Sequence, residues 1–252
     1  MYLSAPRWKG KGFAAIASAN HMSAIVVQLQ SSLSLSGSIA LLSGCDALLK
    51  AGPELVNLLN QSSFGKKIAT SNKDNKQWFQ LGPEEAFYLC HALRCLKISR
   101  DSDEPMTDVE LWDHLRTKRK PFPEFYKAYS HLRSKNWIVR SGLQYGVYFV
   151  AYRHHPALVH SEYAVLVVSE SEDDESNGRL RVWSDLHCTL RACRGVAKTL
   201  LVLSIKKCGI GKDSLNCLKE LIVNERAITR RIPEQRHEDC DLVEADDADG
   251  IL

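Results

Sequence analysis

Three short apolar runs, each adjoining one polar residue, constrain the fold of this chain more than any other feature. The runs span residues 147–151, 163–168 and 199–205. Tyr152 ends the first run, His160 precedes the second, and Lys198 opens the third. Alternating and β-branched apolar runs of this length are typical of strands. The pattern therefore predicts a sheet whose strand ends bring these three side chains to one cleft.

The first half of the chain carries helical signals instead. Gly82-Pro83 is typical of the first turn of a helix. Thr107 and Glu110 form a capping-box pattern that predicts a second helix. Pro121 is expected to end that helix and to begin a third. The face of the third helix that is predicted to enter the core comprises Phe125, Tyr129 and Leu132.

These signals predict an α/β (α+β) fold with a small helix-rich N-terminal domain. The second domain is expected to contain a central mixed β-sheet flanked by helices, with one helix at Val182–Cys193 and a last strand at Leu221–Ile228. The predicted boundaries are a basic, disordered arm over 1–22, an N-terminal α/β domain over 23–135, the strand-rich domain over 136–233 and an acidic tail over 234–252.

The net charge of +3 is unevenly distributed along the chain. Residues 234–252 contain eight acids and one arginine, a local charge of −7, so residues 1–233 carry +10. Such asymmetry is typical of a body that meets a polyanion and of a solvated acidic tail. The alternative is that the basic residues simply cover the surface.

The N-terminal composition has two interpretations. No acid precedes Asp46, and Arg7, Lys9 and Lys11 lie among small and apolar residues. A transit peptide has this composition, and would predict an organellar protein. A basic, disordered arm has it as well, and leaves a nuclear location as the first expectation.

The cysteines and the hydropathy exclude several classes of protein. Eight cysteines are present and none forms a C-x-x-C pair, which favours reduced thiols in a cytosolic or nuclear protein over a zinc site. No apolar run reaches the ~18 residues expected of a membrane span. His154 and His155 adjoin Tyr152 without a nearby cysteine or acid to complete a metal site, so they are expected to be solvated or to face RNA.

The flanks of the three polar residues resemble one known family. YGVYFVAYR, the eight-position step from Tyr152 to His160, and VAKTLLVL together resemble the catalytic domain of tRNA-splicing endonuclease subunits. The upstream stretches WFQLGPEEAFYLCHALRCLKI and FPEFYKAYSHLRSKNWIVRSG extend the resemblance over most of the chain. The match is similar to the plant-like catalytic subunit that cuts the 5′ splice site. The strand-rich domain is then expected to be the nuclease domain.

The resemblance implies a role for each of the three residues. Tyr152 would act as the general base on the ribose 2′-hydroxyl, and His160 as the general acid for the 5′ leaving oxygen. Lys198 would stabilise charge on the phosphate oxygens. The products would be a 2′,3′-cyclic phosphate and a 5′-hydroxyl, and the family needs neither a metal nor another cofactor.

Tyrosine is the least obvious member of this set, because its ordinary pKa is ~10 whereas that of histidine is ~6.5. Two interpretations of Tyr152 stay open at the level of sequence. Either a nearby Lys198 favours the phenolate, or Tyr152 mainly orients the 2′-hydroxyl.

Three arginines are candidate RNA contacts. In this family a partner subunit supplies an arginine and a tryptophan that pinch a bulged base. Arg191 matches the arginine position, but Arg231 stands where the family tends to carry tryptophan. Arginine also stacks on bases. Arg153, beside Tyr152, is the third candidate, and Tyr148 replaces the acid of the family pattern YGVDF.

Two other functions are weighed against catalysis. A structural or RNA-binding subunit of the same complex would lack the three residues. A metal-dependent nuclease would place an acid two residues before the strand lysine, where this chain has Val196.

The resemblance also implies the partners, which are pre-tRNA and a heterotetramer with one other catalytic and two structural subunits. Leu221–Ile228 is either an edge strand that pairs with another subunit or an internal core strand.

Overall fold

A computed structural model describes residues 5–68, 76–100, 104–170, 183–195, 198–207 and 215–228. Within these ranges the chain forms two five-stranded sheets and eight α-helices. The helices are α1 Phe13–Ala19, α2 Met22–Ser36, α3 Pro53–Ser62, α4 Pro83–Phe87, α5 Asp108–Lys118, α6 Phe122–Ser134, α7 Trp183–Gly195 and α8 Cys217–Glu220. The strands are β1 Ile39–Ser43, β2 Asp46–Ala51, β3 Lys66–Ile68, β4 Gln77–Leu81, β5 Lys97–Ser99, β6 Ile138–Ser141, β7 Phe149–Tyr152, β8 Tyr163–Ser169, β9 Thr199–Lys207 and β10 Leu221–Ile228.

The first sheet has the order β3-β4-β2-β1-β5. It gives the N-terminal domain more strand than the helix-rich sequence signal indicated. Strands β1 and β2 form a hairpin closed by Ser43 opposite Asp46, and Gly44 takes a φ of 65° in its turn. A left-handed residue in a tight hairpin turn suits glycine. The short, weakly alternating strands explain why this part of the sequence reads as turns.

The second sheet has the order β10-β9-β8-β7-β6 and is mixed, as predicted. Strands β8 and β9 are parallel, and the other neighbouring pairs are antiparallel. Helix α6 packs on one face, where Phe125 and Tyr129 join the main core with Val165 and Leu201. Helix α7 covers the other face, where Cys193 belongs to a second cluster. The predicted arrangement of a sheet flanked by helices is confirmed.

Several predicted elements occur where the sequence places them. Thr107 caps α5: its Oγ1 accepts from the Glu110 backbone N–H at 3.3 Å. The Glu110 carboxylate in turn accepts from the Thr107 N–H at 2.8 Å. Pro83 begins α4, and the predicted helix at Val182–Cys193 is α7. The last strand has the predicted bounds and lies at the edge of the second sheet, so within the described residues it is not an internal strand.

The N-terminal arm is the clearest departure from the sequence analysis. The predicted disordered segment 1–22 contains α1, and α2 begins at Met22. Met22 and Ile25 are buried in a small cluster with Ile138 of β6. The arm was expected to be disordered because of its small residues and lack of acids. Its apolar positions instead pack on the second sheet.

No helix in the described part of the chain combines the length and the apolar character needed to cross a membrane.

Candidate active site

Main-chain hydrogen bonds hold three strand ends side by side. The Glu162 N–H donates to the Ala151 carbonyl at 2.9 Å, and the Thr199 N–H donates to the Glu162 carbonyl at 3.0 Å. Tyr152 follows Ala151, and Lys198 precedes Thr199, so both side chains leave the sheet at the same end. Their places follow from the strand register rather than from any side-chain contact.

Tyr152 and Lys198 also share one face of the sheet. Val150 and Leu200 belong to the cluster beneath α7, and Tyr152 packs against that cluster. Alternate residues of a strand face the same side, so Lys198, two residues before Leu200, points to this face as well. His160 lies on the loop entering β8, close enough to Lys198 for the lysine charge to influence its pKa. The structure thus places Tyr152 and Lys198 at one end and face of the sheet and His160 on the adjoining loop, and the assignment of the three as a catalytic site stays a prediction.

Tyr152 is half-buried, and its surroundings favour the neutral phenol. Burial raises its pKa, and the neighbouring Tyr145 adds to the rise. A hydrogen bond with Ser161 and the charge of Arg140 oppose the rise without cancelling it. Lys198 is not among the groups that act on Tyr152. The raised pKa favours the second open interpretation, in which Tyr152 orients the 2′-hydroxyl, over a lysine-stabilised phenolate.

Lys198 is held over an aromatic ring. Its Nζ lies 4.2 Å from the centroid of the Tyr145 ring, which is the geometry of a cation–π contact. Burial lowers the pKa of Lys198, the charges of Arg7 and Lys9 lower it further, and the Cys193 thiol opposes them.

His160 is exposed, and its backbone is tied to the N-terminal segment. Its N–H donates to the Arg7 carbonyl at 3.0 Å. Partial desolvation and the charges of Lys9, Arg7 and Lys198 lower the pKa of His160. In the free protein these surroundings therefore disfavour the imidazolium form of His160.

Sequence reasoning missed Tyr145. It ends a short 3-10 helix, Leu143–Tyr145, which Gly146 closes with a φ of 70°. The ring touches Lys198 and also influences the pKa of Tyr152. The signal that pointed to it was present: the YG pair before the strand places an aromatic ring just ahead of a left-handed glycine turn.

The structure treats the three arginines predicted to contact RNA differently: one is engaged within the protein, one is exposed, and one lies outside the described residues. Arg153 donates from Nε and Nη2 to the Glu162 carboxylate at 2.6 and 2.8 Å, and its guanidinium lies 5.3 Å from the Trp137 ring centroid. It is thus engaged within the protein, and we leave it out of the RNA contacts. Arg191 is exposed on α7 and stays a prediction. Arg231 lies outside the described residues.

The two histidines after Arg153 were expected to be solvated or to face RNA, but the structure shows both at least partly buried. His154 is buried, and its Nε2 lies 2.7 Å from the Asn20 carbonyl at the end of α1. His155 is half-buried and its Nδ1 accepts from the Ala157 N–H at 3.1 Å. His154 is therefore held within the protein, whereas His155 also lines the cleft beside Tyr152. Among the described residues, no group of three or more histidine, cysteine or acidic side chains is arranged to hold a metal ion.

A cleft of about 1110 Å³ runs from Tyr152 to the first domain. Arg140 on its wall donates to the Ser63 and Gly65 carbonyls at 3.0 and 2.8 Å, which ties the second sheet to the first domain. Tyr148, the substitute for the family acid, lines the cleft with its ring 4.5 Å from that of Phe125. Of the three predicted catalytic residues only Tyr152 lines this cleft, so the cleft adjoins the site and does not contain it.

Comparisons with known proteins agree with this arrangement. The family model described as the tRNA intron endonuclease catalytic C-terminal domain matches residues 122–210, and the model of its N-terminal domain matches residues 38–112.

Among individual relatives, a rice (Oryza sativa subsp. japonica) protein named "Probable tRNA-splicing endonuclease subunit Sen2" is 54% identical, over 96% of this chain and 85% of its own length. The Arabidopsis thaliana tRNA-splicing endonuclease subunit Sen2-2 is 50% identical, over 93% of this chain and 92% of its own. A tRNA-splicing endonuclease of Saccharolobus solfataricus is 31% identical, over 53% of this chain and 75% of its own.

Proposed function

Because this chain belongs to the tRNA intron endonuclease family, we propose that it is the catalytic subunit that cleaves intron-containing pre-tRNA at the 5′ splice site. Membership supports endonuclease activity on pre-tRNA introns. The observation that carries the catalytic assignment is the register of the second sheet, which sets Tyr152 and Lys198 at one end and face, next to His160. A purely structural subunit has no need of this arrangement.

The reaction needs alignment and proton transfer, because the nucleophile is already part of the RNA. The ribose 2′-oxygen attacks the adjacent phosphorus and releases its proton to water, while the bond from phosphorus to the 5′ oxygen breaks in line with the attack. His160 gives its proton to the departing 5′ oxygen. Lys198 supplies positive charge to the phosphate oxygens as their negative charge grows. The products are a 2′,3′-cyclic phosphate and a 5′-hydroxyl.

Tyr152 acts in this scheme as the group that orients the 2′-hydroxyl. Its raised pKa keeps the phenol neutral at physiological pH. A neutral phenol both donates and accepts hydrogen bonds. The bond to Ser161 fixes the orientation of the phenol within the site.

The partner assignments follow from the same family membership. We propose that the chain works in a heterotetramer with one other catalytic subunit and two structural subunits. The edge strand β10 is available for pairing with another chain on its outer side. Arg191 of this chain is proposed to reach the bulged base in the site of another subunit.

For the location we propose the nucleus rather than an organelle. The transit-peptide interpretation requires removal of the N-terminal segment, yet residues 7–25 make hydrogen bonds and apolar contacts with the second sheet and its loops. Fluorescence microscopy of a C-terminally tagged chain tests this assignment.

The function is tested by cleavage of an intron-containing pre-tRNA with the reconstituted complex. We expect a cut at the 5′ splice site with cyclic phosphate and 5′-hydroxyl ends, and we expect the rate to survive chelation by EDTA. The reason is that Val196 takes the place of the acid that a metal-dependent nuclease needs before Lys198.

The RNA in that experiment is folded before the chelator is added, since EDTA also removes ions that support RNA folding. Activity that returns only with added divalent ion on prefolded RNA would revive the metal-dependent mechanism. Products ending in a 3′-hydroxyl and 5′-phosphate would exclude the proposed chemistry.

The acid–base assignment predicts the titration of His160. Its pKa in the free chain is expected below 6.5, because Lys9, Arg7 and Lys198 disfavour the imidazolium. Binding of a phosphate group cancels part of this positive charge, so the pKa should rise and a larger fraction of His160 should be protonated at pH 7. NMR titration of labelled histidine, with and without a non-cleavable RNA, measures both values. A free-state pKa above 6.5 would contradict the effect of desolvation and the nearby cations, and no rise on binding would contradict the assignment of His160 as the acid.

A further inference from the structure

The N-terminal segment joins the candidate site through its main chain. Trp8 forms an antiparallel bridge with Val159, the residue before His160. The Lys9 N–H donates to the Leu158 carbonyl at 2.9 Å, and the His160 N–H donates to the Arg7 carbonyl at 3.0 Å. These bonds align the segment with the His160 loop as one short strand pair.

The alternation of an extended strand separates the side chains of this segment. Arg7 and Lys9 point to one side and Trp8 to the other. The burial agrees, since Trp8 is half-buried whereas Arg7 and Lys9 are exposed. Two positive side chains are thus presented to solvent on the same side of the segment.

This segment lies beside the candidate site, because its main-chain bonds place Arg7 and Lys9 next to the loop that carries His160. The electrostatics agree with this placement, since the charges of Lys9 and Arg7 act, after desolvation, on the pKa of His160 and also on that of Lys198.

A second anchor holds the segment in place at its other end. The Nε2 of His154 lies 2.7 Å from the Asn20 carbonyl at the end of α1. Residues 7–20 are therefore bonded at both ends to the loop between β7 and β8, which reduces the entropy lost when their side chains bind a ligand.

We propose that Arg7 and Lys9 form a phosphate-binding subsite of the active site, which takes an RNA backbone phosphate next to the one that is cleaved. The inference rests on the proposed function, since it presumes that RNA occupies the space between His160 and Lys198. It assigns the acid-free N-terminus a role in substrate positioning. Arginine and lysine are the usual phosphate ligands in protein–RNA contacts.

The test is the binding of RNA to the reconstituted complex carrying the double variant R7Q/K9Q. The probe is a pre-tRNA with a 2′-deoxy group at the nucleotide that would supply the nucleophile, so that binding is measured without cleavage. The logarithm of the RNA-binding constant falls as the logarithm of the salt concentration rises. Each lost phosphate contact makes this negative slope less steep by about 0.7 to 0.9. We expect affinity to fall roughly 10-fold near physiological salt, with the slope reduced by about 1 to 2.

The control is K11Q, which removes one positive charge from the same segment. Lys11 is exposed, and it is not among the groups that act on His160 or Lys198. K11Q should bind RNA like the wild type. The unfolding temperature of R7Q/K9Q is measured in the same complex, so that loss of RNA affinity is compared at equal stability.

RNA with one uncharged phosphate substitute at a time identifies the phosphate that Arg7 and Lys9 contact. Single methylphosphonates replace the phosphates that flank the cleaved bond, one at a time. At the position that contacts Arg7 and Lys9, the methylphosphonate should weaken wild-type binding by several fold. It should leave binding of R7Q/K9Q almost unchanged, because the free-energy effects of removing both partners of one contact do not add.

Wild-type affinity of R7Q/K9Q, or equal loss for both proteins at every methylphosphonate, overturns the subsite. Failure of the wild-type complex to cut the unmodified RNA would instead overturn the proposed function, and the binding comparison would still decide the subsite.

Discussion

Replacing His160 with alanine is expected to slow cleavage at the 5′ splice site by roughly 10²- to 10⁴-fold, the usual contribution of a general acid. The 3′ site should be cut almost normally, because the proposed assembly assigns that cut to another subunit. RNA affinity should hardly change, since it comes from many phosphate contacts. His160 is exposed, so the variant should fold and assemble as the wild type does.

A modified substrate separates the acid from other roles. A sulfur in place of the 5′ leaving oxygen needs little protonation, so it should restore much of the rate of His160→Ala. His21→Ala is a suitable control, because His21 is an exposed histidine whose side chain does not cap α2. Loss of both splice-site cuts together would indicate that His160 maintains the fold or the assembly.

Lys198→Met is expected to lower the rate by roughly 10²- to 10³-fold, the range seen when one group that stabilises transition-state charge is removed. Methionine keeps an unbranched apolar stem against the Tyr145 ring, where Lys198 now lies at 4.2 Å. The change therefore removes the charge with little loss of packing. Single-turnover cleavage at saturating enzyme measures the effect on the chemical step.

The leaving-group substitution gives the opposite result for this variant. A 5′ sulfur should not rescue Lys198→Met, because the missing charge acts on the phosphate oxygens. Lys206→Met is the matched control: Lys206 is an exposed lysine near the far end of the same strand, β9. Equal rescue of the His160 and Lys198 variants would refute their separate roles.

The sequence predicted the second sheet well because its strands are long and strongly apolar. Buried runs such as 163–168 and 199–205 have one conformation that satisfies both their apolar side chains and their backbone groups. The register then places Tyr152 and Lys198 without further information. The resemblance to the family points to the same residues, and the structure adds the hydrogen bonds that align them.

The N-terminal features were not predictable from local pattern. The strand formed by Arg7–Lys9 consists of one bridge, and its partner lies some 150 residues away in the chain. Such a pairing leaves no alternation or run for a sequence window to detect. The same applies to Arg153, whose pairing with Glu162 depends on the loop that connects β7 and β8.

The hydrogen bond between Lys9 and Leu158 can form only late in synthesis of the chain. Lys9 leaves the ribosome early, whereas Leu158 follows 149 residues later. At roughly 5–20 residues per second this interval is about 7–30 s. Throughout it the basic segment has no strand to pair with, and Lys198 has not been made. A nascent chain therefore cannot hold a finished nuclease site during this interval, and Arg7–Lys9 reach their final position only after Leu158 and His160 have been made.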